Sequence, residues 1–149
     1  MISIHSEIDP TIGSLDEPAA QNILRTVLSG ESVTETEITL ILGSDDLLSN
    51  LKREFFHVNQ FTDVIAFRLN DYDEPNIEGE IYISLPRANE NAKIYENSLN
   101  KEVARLIIHG GLHLMDYKDD TEEQKQVMRD LENTYLEKTD WVNLKVTVS

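Results

Sequence analysis

Alternating apolar and polar positions predict four strands along the chain. Residues 2–8 alternate weakly, and residues 37–42 form a β-rich run that ends at Gly43. Two more β-rich runs cover residues 64–69 and 80–85. The segment between these two runs is rich in Asn, Asp and Pro, which favour turns. The pattern therefore predicts a hairpin between the last two strands.

Apolar residues at helical spacing predict five helices between and after the strands. They begin after the capping residues Asp16 and Ser44, the first ending at Gly30, and cover residues 87–97, 100–115 and 121–137. In the third of these five, Ala88, Ala92 and Tyr95 are expected to point inward. A Thr-Glu-Glu-Gln capping box opens the helix at 121, and residues 141–148 alternate like a strand.

The mixture of strands and helices predicts an α+β fold: a single mixed sheet of about four strands packed with four or five helices. The length of 149 residues fits one domain over residues 1–149, with residues 139–149 as a possible extra tail. No apolar stretch is long enough to span a bilayer, and the first residues do not resemble a signal peptide. A cytoplasmic protein that does not bind membranes is expected.

Charge restricts the possible partners. Twenty-eight acidic residues against 13 Lys and Arg give a net charge of −15, which excludes binding to nucleic acid through bulk electrostatics. A local basic cleft within an acidic shell is still compatible with this balance. Its candidate residues are Lys52, Arg53, Arg68, Arg87, Lys93, Lys101 and Arg105. For each of them a solubilising surface role is the alternative.

The candidate chemistry is a metal site at the end of the helix over residues 100–115. The chain has no cysteine, so a metal needs His, Asp or Glu ligands. His109 and His113 are four residues apart and share one helix face. If the helix ends near Met115, with Asp116 in the left-handed conformation, Asp119 can return to complete a three-ligand set. Three protein ligands leave a fourth position for water, as in catalytic zinc sites.

Gly110 and Gly111 lie inside this predicted helix and cost roughly 2 kcal/mol together relative to alanine. Such a cost indicates either a close backbone approach or access for a substrate to the metal. A helix that is simply weak is the alternative interpretation.

Four segments resemble the YbeY family of bacterial metallo-endoribonucleases. Residues 109–119 read HGGLHLMDYKD, similar to the family signature HGxLHLxGYDH. Residues 61–67 (FTDVIAF) resemble the T(D/N)VLSF strand, and residues 79–84 (GEIYIS) resemble the GDIxIS strand. Met128-Arg129 followed by Glu132 resembles the MRxxE helix. The matches lie between residues 51 and 132, in the family's order and spacing.

The resemblance implies a zinc-dependent, single-strand-specific endoribonuclease that uses a metal-activated water. It also implies a role in maturing the 3′ end of small-subunit ribosomal RNA and in ribosome quality control. One Zn²⁺ would be held by His109, His113 and Asp119, with single-stranded RNA as partner and no DNA. The sequence departs from the family where Asp119 replaces a usual His and where Phe56 replaces a common Arg. Asp116 and Lys118 also replace the signature's Gly and Asp.

Two other functions are compatible with the same residues. A non-catalytic, metal-binding ribosome-associated factor would explain the acid excess and Phe56. A zincin-like protease would need Glu directly after the first His as its base, where this chain has Gly110. Glu102 shares the helix face of His109 but lies seven residues before it, about 10 Å along the helix axis. His5 and His57 have no partner at ligand spacing, so surface or capping roles are expected. The general acid or base and the oligomeric state are not predicted.

Overall fold

The computed structural model describes residues 1–57 and 62–149. The chain runs through β1 (Ile2–Ile8), β2 (Gly13–Ser14), α1 (Glu17–Gly30), β3 (Thr36–Gly43), α2 (Asp45–Phe56), β4 (Val64–Arg68), β5 (Ile77–Ser84), α3 (Leu85–Ile94), α4 (Leu99–Leu114) and α5 (Glu122–Lys138), followed by a 3₁₀ turn (Trp141–Leu144) and β6 (Thr147–Val148). The predicted α+β class, with five helices and a four-stranded mixed sheet, is confirmed.

The main sheet has the order β1-β3-β5-β4, in which the first three strands are parallel and β4 is antiparallel to β5. The β4–β5 pair is the predicted hairpin. Because side chains alternate across a strand, Ile81 and Ile83 face the core while Tyr82 faces the opposite side. A second, two-stranded sheet pairs β2 with β6.

Helix α4 is the central element of the core. It contacts α1, α3, α5, β4 and β5, and most of its residues are buried. A helix enclosed on several sides must be apolar on several faces. This explains why every residue over 103–108 except Arg105 is apolar. The same packing holds the end of α4, which carries the candidate ligands, in place.

The two glycines of α4 are sites of close packing. A Cβ added to Gly110 would lie 2.6 Å from Ile81 Cγ2, and one added to Gly111 would lie 2.8 Å from Leu24 Cδ1. Both distances are shorter than carbon atoms tolerate. The close-approach interpretation of the glycines is therefore confirmed, and it concerns packing against β5 and α1.

The helix caps follow the prediction. Asp16, Ser44 and Thr121 each accept a backbone hydrogen bond at the start of a helix, and Thr121 forms a full capping box with Gln124. His57 ends α2 in the left-handed conformation, in agreement with a capping role.

Two local predictions were wrong, and one matched residue cannot be compared. Residues 141–148 form a 3₁₀ turn and a two-residue strand, because buried Leu144 packs in the core and only Thr147 and Val148 pair with β2. Tyr95 follows α3 and is 69% exposed, since α3 has ended before it. Phe61, the first residue of one matched segment, lies outside the described residues.

Within the described part of the chain, no helix has the length and apolar character to cross a membrane.

Candidate metal centre

Three side chains meet at the end of α4 in a compact triangle. The Nε2 atoms of His109 and His113 lie 2.9 Å apart. Asp119 Oδ2 lies 3.5 Å from the first of these atoms and 3.4 Å from the second. The structure therefore brings together all three residues that the sequence predicted as ligands.

These distances fit a divalent ion. Bonds of 2.0–2.2 Å at tetrahedral angles place ligand atoms roughly 3.3–3.6 Å apart. The two edges to Asp119 Oδ2 lie in this range, and the 2.9 Å edge between the two Nε2 atoms would open by roughly 0.4 Å around an ion. All three side chains are partly exposed, so one side of the triangle is open to a fourth ligand. The group could hold a metal.

The end of α4 places Asp119. The helix stops at Leu114, Met115 caps it, and Asp116 adopts φ 70°. A non-glycine residue in the left-handed region reverses the chain, and Asp tolerates this conformation better than most residues. The reversal brings Asp119 back over the helix face that carries the two histidines, as the sequence predicted.

The remaining imidazole nitrogens fix the orientation of both rings. His109 Nδ1 donates to Glu132 Oε2 at 2.7 Å, and His113 Nδ1 donates to the Tyr117 carbonyl at 2.9 Å. A carboxylate and a carbonyl can only accept, so both protons reside on Nδ1. The lone pairs of both Nε2 atoms are then directed at the centre of the triangle, as in histidine metal sites.

Glu132 is a buried anion with two partners. Its side chain is 8% exposed, and its second oxygen accepts from Arg105 Nη1 at 2.9 Å. Burial raises the pKa of Glu132, but the hydrogen bonds and charges of His109 and Arg105 outweigh burial and lower this pKa below its usual range. Glu132 is therefore a stable carboxylate. The sequence contained Glu132 within a matched segment, but its contact with His109 is a tertiary one.

The two histidines have pKa values shifted in opposite directions. Burial lowers the pKa of His109, but the hydrogen bond and charge of Glu132 outweigh burial and raise it. Burial and the neighbouring His109 lower the pKa of His113. The Nε2 lone pair of His113 is thus available near neutral pH.

A second carboxylate braces the loop that follows α4. The Tyr117 hydroxyl donates to Glu31 Oε1 at 2.5 Å, and the Tyr135 hydroxyl donates to Glu31 Oε2. Glu31 thereby joins the end of α1 to the loop and to α5. Because the Tyr117 carbonyl accepts from His113, this brace also holds in position the loop that carries Asp119.

Two adjoining cavities open beside the triangle and share Asp63, Val64 and His109 as walls. The larger, of about 760 Å³, is lined by His113, Asp119, Lys52 and Lys118 among others. The smaller, of about 520 Å³, is lined by Arg105, Arg129 and Glu132 among others. We call these two cavities together the cleft.

The predicted basic residues are only partly at the cleft. Of the seven, Lys52 and Arg105 line it. Arg68 is held by backbone carbonyls, including those of Leu114 and Asn76, and Arg87 pairs with Asp45. Sequence reasoning missed Lys118 and Arg129 as cleft residues, although both lie in segments that match the family patterns.

Comparison with known proteins yields one family. A sequence profile described as "Endoribonuclease YbeY" matches residues 7–140. "Endoribonuclease YbeY" of Desulforamulus reducens is 36% identical over 126 residues, covering 79% of this chain and 82% of that protein. "Endoribonuclease YbeY" of Flavobacterium psychrophilum is 35% identical over 136 residues, covering 91% and 94%. The solution structure of TM1509 from Thermotoga maritima has a similar fold, with a TM-score of 0.61, 26% identity and coverage of 92% of this chain and 87% of that one.

Proposed function

This chain belongs to the endoribonuclease YbeY family, and from that premise we propose that it is a zinc-dependent endoribonuclease acting on single-stranded RNA. One Zn²⁺ is held by His109, His113 and Asp119, and the RNA lies in the cleft. The proposed process is maturation of the 3′ end of small-subunit ribosomal RNA and ribosome quality control, in the cytoplasm. Residues 1–149 are proposed to act as one domain.

The observation that supports this proposal best is the triangle of Nε2, Nε2 and Oδ2 atoms beside an open cleft. Two nitrogen ligands and one oxygen ligand suit zinc, and three protein ligands are typical of catalytic sites. A zinc ion supplies a Lewis acid that polarises a phosphoryl oxygen and lowers the pKa of water.

The protein's own side chains prepare the site for this chemistry. Glu132 and the Tyr117 carbonyl hold the two imidazoles in the tautomer that presents Nε2. Arg105 neutralises Glu132 and so keeps the carboxylate ionised in its buried position. Three basic residues line the cleft and offer positive charge to the phosphates of the RNA: Lys52, Lys118 and Arg129.

A second candidate function is a metal-binding, ribosome-associated factor without catalysis. The observation in its favour is the charge of the larger cavity, where four aspartates (Asp63, Asp116, Asp119 and Asp120) face two lysines (Lys52 and Lys118). Bound zinc would neutralise this excess. The nuclease proposal therefore requires that RNA binding depends on the metal. A factor that binds proteins instead of RNA has no such requirement.

The test is cleavage of a labelled single-stranded RNA by protein of measured zinc content. His113→Ala removes one ligand, and His5→Ala, which changes an exposed histidine of β1, is the matched control. Cleavage by the wild type and by His5→Ala but not by His113→Ala is expected. Equal cleavage by all three would refute the metal's role. One equivalent of zinc without any cleavage would favour the ribosome-associated factor.

A further inference from the structure

Two exposed aromatic rings line the cleft together with His109, His113 and Asp119, the ligand triangle. Phe56 is 45% exposed and Tyr72 is 53% exposed, and both are walls of the larger cavity beside His109 and His113. Exposed rings gathered on the wall of a cleft are typical of a binding surface. Nothing in the sequence pattern groups them, because they are 16 residues apart and belong to different segments.

Phe56 is held in place by an aromatic cluster on the sheet. Its ring stacks on that of Phe67 with centroids 5.8 Å apart and an angle of 23°. Phe67 in turn contacts Tyr82 edge-on at 5.8 Å. Both partners lie on neighbouring strands of the main sheet, so Phe56 has a rigid support.

Tyr72 is supported by a fixed cation. The Arg68 guanidinium lies 5.1 Å from the centre of the Tyr72 ring. Arg68 itself donates to the carbonyls of Leu114 and Asn76, at 2.7 and 3.0 Å. These bonds tie the segment that carries Tyr72 to the end of α4, which also carries His113.

Positive charge lies next to the rings. Lys52 Nζ is 4.8 Å from the centre of the Phe56 ring, and Lys118 lines the same cavity. Aromatic rings accompanied by lysines match a nucleotide, whose base stacks on a ring while its phosphate pairs with a cation. An apolar peptide would use the rings but would leave the lysines without a partner.

We infer that Phe56 and Tyr72 form a stacking platform for unpaired bases of the RNA next to the ligand triangle, with Lys52 and Lys118 contacting the adjoining phosphates. The inference rests on the proposed function, since its ligand is RNA. The platform selects single strands, because the faces of paired bases in a duplex are already covered by their neighbours.

The test measures RNA binding separately from cleavage. The probe is an oligouridylate with one 2-aminopurine base, whose fluorescence is quenched when the base stacks. Binding to the zinc-loaded protein is followed at 4 °C by anisotropy and by quenching, and gel electrophoresis verifies that the RNA is intact. Phe56→Leu and Tyr72→Leu remove the rings but keep apolar bulk. Each is expected to weaken binding roughly 5- to 100-fold and to reduce the quenching.

Two controls separate stacking from general damage. Phe55→Leu changes the neighbouring ring, which is 59% exposed and packs on Phe67 but is not a wall of the cleft. Tyr72→Phe keeps the ring and removes only the hydroxyl. Both are expected to bind and quench like the wild type.

The outcomes distinguish the platform from the nuclease proposal. If the wild type cleaves RNA but Phe56→Leu and Tyr72→Leu bind it normally, the platform is wrong and the nuclease proposal stands. If both variants lose binding while the wild type cleaves nothing, the platform stands and the nuclease proposal fails. Failure of the wild type to bind the probe, or equal losses in Phe55→Leu, would overturn the platform.

Discussion

Glu132 accepts a hydrogen bond from His109 Nδ1 at 2.7 Å, although the two residues belong to different helices and lie 23 positions apart. Arg105, one turn before His109 on α4, holds the other oxygen of Glu132. The pair thus links the candidate ligand to a buried ionic contact between α4 and α5. The hydrogen bond on Nδ1 therefore holds the His109 ring with Nε2 directed at the candidate metal position.

The first prediction concerns this pair. Glu132→Gln keeps the size of the side chain but removes the negative charge that orients His109. Zinc affinity is expected to fall roughly 10- to 100-fold, the usual effect of losing such an outer partner. Competition with a chromophoric chelator measures the affinity, and Glu123→Gln on the exposed start of α5 is the control. Equal affinity in Glu132→Gln and the wild type would contradict the prediction.

Metal binding should stabilise the fold. An ion that binds only the folded state, at a free concentration 100 times its Kd, adds about 2.7 kcal/mol to the free energy of unfolding. For a chain of this size this raises Tm by roughly 5–10 °C. Differential scanning fluorimetry with and without zinc measures this shift. We expect the shift in the wild type and in His5→Ala but not in His113→Ala. A shift of equal size in His113→Ala would place the zinc elsewhere.

The hydrogen bond from Tyr117 to Glu31, which holds the loop that carries Asp119, can be tested by substitution. Tyr117→Phe removes the hydrogen bond to Glu31 while the carbonyl that accepts from His113 is retained. The free energy of unfolding is expected to fall by about 1–2 kcal/mol, and zinc affinity should fall as well because the loop is less fixed. Urea unfolding and metal titration measure the two effects, with Tyr95→Phe as control. A loss of stability with unchanged affinity would show that the brace is purely structural.

Gly110 provides a test of the close packing of α4 on β5. Alanine favours helices by about 1 kcal/mol, but its Cβ would lie 2.6 Å from Ile81 Cγ2. We expect Gly110→Ala to destabilise the protein by roughly 1–3 kcal/mol, since overpacking outweighs propensity. In an Ile81→Ala background the same substitution should cost much less. An equal cost in both backgrounds, measured by urea unfolding, would mean that the helix is not limited by this contact.

Glu102 gives a pH-dependent prediction. Burial and the nearby charge of Asp63 raise its pKa above 4.5, despite the opposing charge of Arg105. A carboxyl whose folded pKa is raised costs stability once it ionises, so the cost is absent at low pH and complete above the raised pKa. Glu102→Gln should therefore be more stable than the wild type at pH 7, with the difference shrinking as the pH falls towards 4.

Urea unfolding at both pH values measures this difference. The exposed Glu54→Gln variant of α2 is the control and should show no such trend. A Glu102→Gln variant that is less stable than the wild type at pH 7 would contradict the prediction.

The sequence by itself determined the local features of this protein. Helix and strand periods, the caps at Asp16, Ser44 and Thr121, and the break near Asp116 depend on neighbours in the chain, so the pattern predicted them. The meeting of His109, His113 and Asp119 was predictable for the same reason. His109 and His113 share a helix face, and a single local reversal returns Asp119 to it.

Only the tertiary structure decided which residues surround that triangle. Glu132 meets His109, and Glu31 meets Tyr117, because α5 and α1 pack against α4. The packing angle between two helices depends on the surfaces of both, so the pattern of one helix does not predict it. The gathering of Phe56 and Tyr72 at one cleft has the same origin. Local periodicity specifies which face of an element is apolar, but the partner of each polar residue depends on how the faces are assembled.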